Sequence, residues 1–138
     1  MKKKNWFWNL IVVLTVVVCV LAFVLHYKNW TTFEEGHFQV VSGIYKQRVQ
    51  ISEINDIGWV QKLPQMHREN GFSWLTKEKG VFTDSLTQSR AHVFVDDLRQ
   101  QKILLRHHDS LQLYFNFKDS IKTQQVYDKI SLLIEQKE

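Results

Sequence analysis

Two spacings of apolar residues divide the chain into a first helix, a region of short strands and a last helix. Residues 6–25 are apolar in nearly every position, which predicts a helix without a polar face. Beyond them, apolar and polar residues alternate, for example over 37–42 and 111–117. That alternation predicts strands with one buried face. From residue 121 to residue 134 the apolar residues recur with a helical period, which predicts an amphipathic helix.

The first apolar run predicts a membrane span. About 20 apolar residues, each rising ~1.5 Å, cross a ~30 Å hydrocarbon core, and residues 6–25 reach that length. Trp6, Trp8 and Trp30 lie near its two ends, where aromatic rings favour the interface. A cleaved signal peptide has a shorter apolar stretch and a small-residue cleavage site, and this sequence fits that pattern less well. We expect a retained single-pass span over about residues 6–27.

Charges beside the span predict its orientation. Lys2, Lys3 and Lys4 precede it, whereas Lys28 alone follows immediately. Positive charges flanking a span tend to stay in the cytoplasm. We therefore expect a cell-membrane protein with a cytoplasmic N-terminus and an extracellular domain. The expected organisation is a basic tip and span over residues 1–28, a short tether over 29–36 and one domain over 37–138.

The overall charge excludes some partners of the domain. The chain carries a formal net charge of +4, with 18 Lys and Arg against 14 Asp and Glu. The four lysines beside the span account for this excess, so the domain itself is balanced. Binding of nucleic acids or phosphoinositides requires clustered cations. Because the charges are interspersed along the sequence, we expect no nucleic-acid partner and no specific phosphoinositide site. The single cysteine, Cys19, lies in the span, so the domain has no disulfide.

The order of the elements predicts an α+β fold. Short antiparallel strands followed by one amphipathic helix suit a small barrel or sandwich closed by that helix. Several short motifs occur in order along this region: Gly43-Ile44-Tyr45, the isoleucines Ile51, Ile54 and Ile57, Leu63-Pro64, Arg68-Glu69-Asn70-Gly71, Gly80-Val81-Phe82, Thr123 and Tyr127. Over about residues 38–133 they resemble a bacterial pleckstrin-homology-like family of membrane-anchored Gram-positive proteins. The resemblance implies that fold and a membrane location. It supplies no established activity.

One polar segment is the candidate binding site. Met66, His67, Arg68 and Asn70 combine a flexible thioether, an imidazole and a guanidinium with an Asn-Gly turn signal. The simpler interpretation is a structural turn. The alternative is a partner-binding loop, because loops of small domains often carry function. The expected function is that of a non-enzymatic module that binds a protein or peptide near the bilayer, by addition of a strand or helix to an edge or groove.

The histidines offer an alternative of another class, a metal-dependent hydrolase using His92, His107 and His108. Adjacent residues on a strand point to opposite faces, so His107 and His108 bind one ion together only from a loop. Because no third ligand is fixed by the sequence, we expect a polar turn at residues 107–109, with no metal, cofactor or catalytic residue. A second alternative is a structural subunit of a larger membrane complex. The valine-rich residues 11–20, without small-xxx-small spacing, argue against that alternative.

Overall fold

The domain consists of two sheets and one helix, preceded by a long apolar helix. The computed structural model describes residues 2–27, 29–42, 45–74 and 76–137, so Gly43 and Ile44 of the first motif lie outside the described residues. Helix α1 spans Lys2–Tyr27, and helix α2 spans Ser120–Lys137. The strands between them are β1 (Trp30–Glu34), β2 (His37–Ser42), β3 (Tyr45–Gln50), β4 (Ile54–Val60), β5 (Met66–Trp74), β6 (Lys77–Asp84), β7 (Arg90–Val95), β8 (Lys102–His107) and β9 (Leu111–Phe115). The α+β class is confirmed.

Helix α1 is long and apolar enough to cross a membrane. Its apolar window, Asn5–Val24, has 20 residues, a mean hydropathy of 2.8 and no buried side chains. The Thr15 hydroxyl donates a hydrogen bond to the Ile11 carbonyl at 2.9 Å, which satisfies this polar group within the helix. An apolar surface that the other described residues leave uncovered suits a lipid environment.

The nine strands form two sheets, and neither is a closed barrel. The first contains β1, β2 and β3 in an antiparallel meander. The second has the order β4-β8-β9-β7-β6-β5, in which only the β7–β9 pair is parallel. In the described residues β4 and β5 lie at opposite edges and do not pair, so the expectation of a barrel is wrong. Residues 61–65 connect these edges instead, and Leu63 from this connection packs against the sheet.

Two apolar clusters lie on opposite faces of the six-stranded sheet. The larger cluster joins this sheet to the three-stranded sheet and to α2. Phe38 contacts Phe115 with ring centroids 5.5 Å apart, and Trp59 stacks on Tyr127 at 4.4 Å. The smaller cluster is on the other face, and its buried members are Phe82, Ala91, Val93, Val95 and Tyr114. The larger cluster therefore holds the three layers together.

Helix α2 begins and packs largely as its sequence predicts. Asp119 caps it, because the Asp119 carboxylate accepts a hydrogen bond from the Ile121 backbone at 2.9 Å. Val126 and Ile130 are buried in the larger cluster. Ile121, which we expected in the same apolar stripe, is instead 67% exposed. It lies in the first turn of α2, before the helix reaches the sheets.

Two segments expected to be irregular are strands. Residues 29–36, expected to form a tether, contain β1, and Asn29 before it is fully buried. The turn expected at Asn70-Gly71 is wrong, because both residues lie within β5. Gly71 faces Gly80 across the β5–β6 ladder, with φ values of 140° and 149°. A Cβ on either glycine would overlap the opposite backbone, so these glycines permit close strand approach rather than a turn.

The packing of α2 predicts unequal effects of two neighbouring substitutions. Ile130 is fully buried, whereas Leu132 on the same helix is 54% exposed. We expect Ile130→Ala to lower the free energy of unfolding by about 2–5 kcal/mol, because it leaves a cavity in the core. Leu132→Ala is expected to change it by less than about 0.5 kcal/mol. Thermal unfolding of the full chain in detergent micelles measures both, and equal effects would contradict the packing.

Candidate functional site

The predicted binding residues lie on a strand at the edge of the six-stranded sheet. Met66, His67, Arg68 and Asn70 form the first part of β5, which pairs with β6 and ends the sheet. The expectation of a loop is therefore wrong. The ladder shifts register between Arg68 and Asn70, so Glu69 forms a β-bulge. The structure thus brings the four residues together along one strand, in an extended rather than a looped arrangement.

Contacts within the domain hold several of these side chains. Arg68 pairs with Glu78 at 2.9 Å, donates to the Ser73 hydroxyl and lies over the Phe82 ring at 5.7 Å. Asn70 accepts a hydrogen bond from the Tyr45 hydroxyl at 3.2 Å.

The remaining two residues differ in exposure. Met66 packs against the smaller cluster. His67 is exposed to solvent. A partner would therefore contact His67 and the strand backbone more readily than the other three side chains.

The three histidines of the hydrolase alternative do not converge on a common ligand position. His107 is fully buried in β8, and its Nδ1 lies 2.7 Å from Nδ1 of the exposed His108. Nε2 of His107 and Nδ1 of His92 are buried and have no hydrogen-bond partner within the part of the chain that the structure describes. Burial, followed by the nearby His108 and His92, lowers the pKa of His107 to about 4. Among the described residues, no three or more histidine, cysteine or acidic side chains are grouped to hold a metal.

A buried polar cluster surrounds Asn29, two residues after α1 ends. The Asn29 side chain donates hydrogen bonds to the carbonyls of Phe94 and Asn116, the latter at 2.7 Å. Its backbone N–H donates to the Asp96 carboxylate at 2.8 Å. Its side-chain carbonyl accepts a hydrogen bond from Lys79 at 2.6 Å. All four of these contacts are buried, so Asn29 is fixed to the ends of β7 and β9.

The same cluster contains a buried ion pair. Lys79 and Asp96 are both 1% exposed, and their charged atoms lie 2.6 Å apart. Lys77 lies 3.8 Å from the same carboxylate. Burial lowers the pKa of Lys79, while Asp96 acts in the opposite direction. Because a buried charge is costly without a partner, each member of this pair depends on the other.

Asn116 holds the connection between β7 and β8. Its side-chain carbonyl accepts hydrogen bonds from the backbone N–H groups of Asp96 at 2.9 Å and Asp97 at 3.1 Å. Its amide group donates to the carbonyls of Asp97 at 2.7 Å and Gln101 at 3.3 Å. This connection passes over the end of β9, and the Asn116 side chain forms hydrogen bonds with four of its backbone groups.

The sequence does not predict this cluster. Its patterns place Asn29 at the start of a tether and Asn116 within an alternating strand. One signal of the cluster is present in the sequence. Lysines occupy positions 77 and 79, before a buried run, and Asp96-Asp97 follows the next strand. Side chains of lysine and aspartate are mostly exposed, so that placement alone does not indicate burial.

Two cavities open beside this region. The larger, about 550 Å³, is lined mainly by glutamines with Trp59 and Arg99, between the end of β4 and the start of α2. Arg99 is already paired with Asp97 at 3.1 Å, and its hydrogen bond lowers the pKa of Asp97. The described lining offers hydrogen bonds and one aromatic ring, but no nucleophile with an adjacent base. The smaller cavity, about 230 Å³, lies next to Asn29 and includes Lys118 and Lys122.

Comparisons with family models, curated proteins and solved structures found no match. The resemblance to a bacterial pleckstrin-homology-like family therefore stays a prediction.

The buried ion pair predicts strong coupling between two substitutions. We expect Lys79→Met and Asp96→Asn each to lower the free energy of unfolding by roughly 3–5 kcal/mol, because each leaves a buried group without its partner. The double variant should lose less than the two single losses together. As a control, Arg106→Gln removes an exposed pair with Asp56 and should cost less than about 1 kcal/mol. Additive losses in the double variant would contradict the coupling.

The low pKa of His107 predicts a loss of stability in weak acid. A folded pKa of about 4, below the ordinary 6.5, means that the stabilisation is complete above pH 6.5 and declines towards pH 4. Over that range the loss is on the order of 3 kcal/mol from this group. His107→Leu should reduce the difference in melting temperature between neutral and weakly acidic buffer, whereas the exposed His67→Gln should leave it unchanged. An unaltered pH profile in His107→Leu would refute the assignment.

Proposed function

We propose that this chain is a single-pass, membrane-anchored, non-enzymatic module whose edge strand β5 binds an extended segment of a protein partner. The N-terminus is proposed to lie in the cytoplasm and the domain outside, as the lysines before α1 indicate. The length and hydropathy of α1 support the membrane anchor. The observation that carries the binding proposal is the edge position of β5.

An edge strand presents backbone groups that a further strand can pair with. β5 has nine residues, whereas the other edge strands β1, β3 and β4 have five, six and seven. Long edges promote association with other strands, and proteins blunt them with charged residues, proline, β-bulges or short length. β5 carries Arg68, Glu69 and a bulge but neither lysine nor proline, and Arg68 is paired with Glu78 within the domain. Its nine-residue length suits strand addition, in which backbone pairing gives affinity and side chains give specificity.

The exposed side chains of β5 would supply the specificity. His67 and Glu69 are exposed, and Glu69 accepts a hydrogen bond from Thr83 at 2.6 Å. The β-bulge at Glu69 interrupts regular pairing at one position, which would restrict the register of an added strand.

Photo-crosslinking in intact membranes tests this proposal. A photoreactive amino acid at position 67 or 69 should give a discrete cross-linked product, whereas the same group at the exposed position 125 of α2 should not. Successive N–H groups of a strand point to opposite sides. Of the residues His67 and Arg68, one therefore directs its N–H away from β6, and its replacement by proline leaves the β5–β6 ladder intact. We expect the proline variant that retains its melting temperature to lose the product formed from position 69.

Three results would contradict the proposal. They are the absence of any product from β5, an equal yield from position 125, and an undiminished yield from the stable proline variant.

A further inference from the structure

The strand register identifies the end of the domain that adjoins α1. Trp30, the first residue of β1, aligns with Val41 on β2, and Val41 aligns with Lys46 on β3. Asn29 bonds to the ends of β7 and β9 through Phe94 and Asn116. We call this the anchor-side end, and it comprises the described residues 45–46, 61–62, 76–77, 96–101 and 116–122.

The opposite end is defined in the same way. β1 and β2 meet there at Glu34 and His37, and β8 and β9 at His107 and Leu111. We call it the far end, comprising residues 34–37, 51–56, 84–90 and 106–111. Met66 aligns with Asp84, so the beginning of β5 also lies there.

Charge is separated between the two ends. The charged side chains at the anchor-side end that are exposed or half-buried are Lys46, Lys62, Arg99, Lys118, Lys122 and the single carboxylate Asp119. Those exposed at the far end are Glu34, Glu35, Glu53, Asp56, Asp109, Arg90 and Arg106. Asp96 and Asp97 are also at the anchor-side end, where Asp96 is paired with the buried Lys79 and Asp97 with Arg99, so Arg99 adds no net charge to this end. The balanced total charge of the domain therefore conceals one basic end and one acidic end.

The anchor-side end lies within reach of lipid headgroups when α1 spans a bilayer. The apolar window ends at Val24, and α1 continues to Tyr27. With ~1.5 Å per helical residue and at most ~3.6 Å per extended residue, Asn29 lies no more than about 12 Å beyond Val24. A headgroup layer is about 5–8 Å thick, so the fixed position of Asn29 leaves little separation between this end and the membrane surface.

We propose that the anchor-side end binds the phosphate groups of anionic phospholipids, an inference that rests on the membrane anchoring in the proposed function. Lys118 and Lys122 supply positive charge beside the 230 Å³ cavity that adjoins Asn29, whose lining also includes Asp119 and the Asp96 carboxylate that Lys79 neutralises. Ile121, 67% exposed between them, supplies an apolar contact, and Trp30, 39% exposed, supplies an aromatic one. The binding selects negative charge without selecting one headgroup, because the cations are distributed over several loops.

This contact would orient the edge strand. With the basic end on the lipid, the acidic far end is directed away from an anionic surface by repulsion. The beginning of β5 lies at that far end, so its edge would remain accessible to a partner. The buried cluster around Asn29 supports this orientation, because it binds Asn29, two residues after α1, to the ends of β7 and β9.

Nanodiscs containing the full chain test the inference. Hydrogen exchange of residues 96–101 and 116–122 is compared in discs of phosphatidylcholine and in discs that also contain phosphatidylglycerol. We expect exchange to slow several-fold in the anionic discs, and the effect to shrink at high salt. The double variant Lys118→Gln/Lys122→Gln should lose the effect. The matched control Arg90→Gln/Arg106→Gln, which removes two charges at the far end, should retain it.

Each alternative outcome has a distinct meaning. Failure of the chain to enter nanodiscs would overturn the anchoring on which the inference rests. Entry with equal exchange in both lipids would overturn the inference alone. An equal loss of the effect in the far-end control would show that total charge causes it, and would overturn the assignment to the anchor-side end. The same protection by inorganic phosphate in phosphatidylcholine discs would overturn the lipid assignment. If Lys118→Gln/Lys122→Gln unfolds, Lys46→Gln/Lys62→Gln replaces it, with the same expected loss.

Discussion

The buried ion pair of Lys79 and Asp96, with Asn29 bound to both residues, is the interaction on which the arrangement of this protein depends. Here Asn29, two residues after α1, meets Lys79 of β6 and Asp96, the residue after β7. Two charges removed from water need pairing and hydrogen bonds, and Asn29 supplies a donor to the carboxylate and an acceptor to the ammonium group. A flexible link would not need this buried pair; a fixed link does.

A fixed link distinguishes the end of the domain near α1 from the opposite end. Because Asn29, two residues after α1, is bound to the ends of β7 and β9, the loops near it form one surface and the hairpins opposite form another. Most exposed charges of the first surface are basic, and most of those of the second are acidic. The two proposed contacts, anionic lipid at the basic end and an extended peptide along β5, then use different parts of the domain and do not compete.

Local patterns predicted the elements of this fold better than their assembly. The apolar run of α1, the alternation of β2 and β9 and the helical period of α2 each depend on neighbouring residues, and the structure agrees with them. Asn70-Gly71 carries a turn signal, yet Gly71 faces Gly80 in a ladder because a distant strand decides its role. The charge separation is not visible in the sequence for the same reason. Charged residues of both signs alternate along the chain, and the antiparallel strands place them at opposite ends of the domain.

The most direct test of this account is the distance between α1 and the domain. Spin labels at position 21 in α1 and position 86 at the far end, in a Cys19→Ser background in nanodiscs, report that distance by pulsed electron paramagnetic resonance. The account predicts one narrow distance distribution, which broadens in Asn29→Ala because the amide no longer joins Phe94 and Asn116. A broad distribution already present without that substitution would contradict a fixed link.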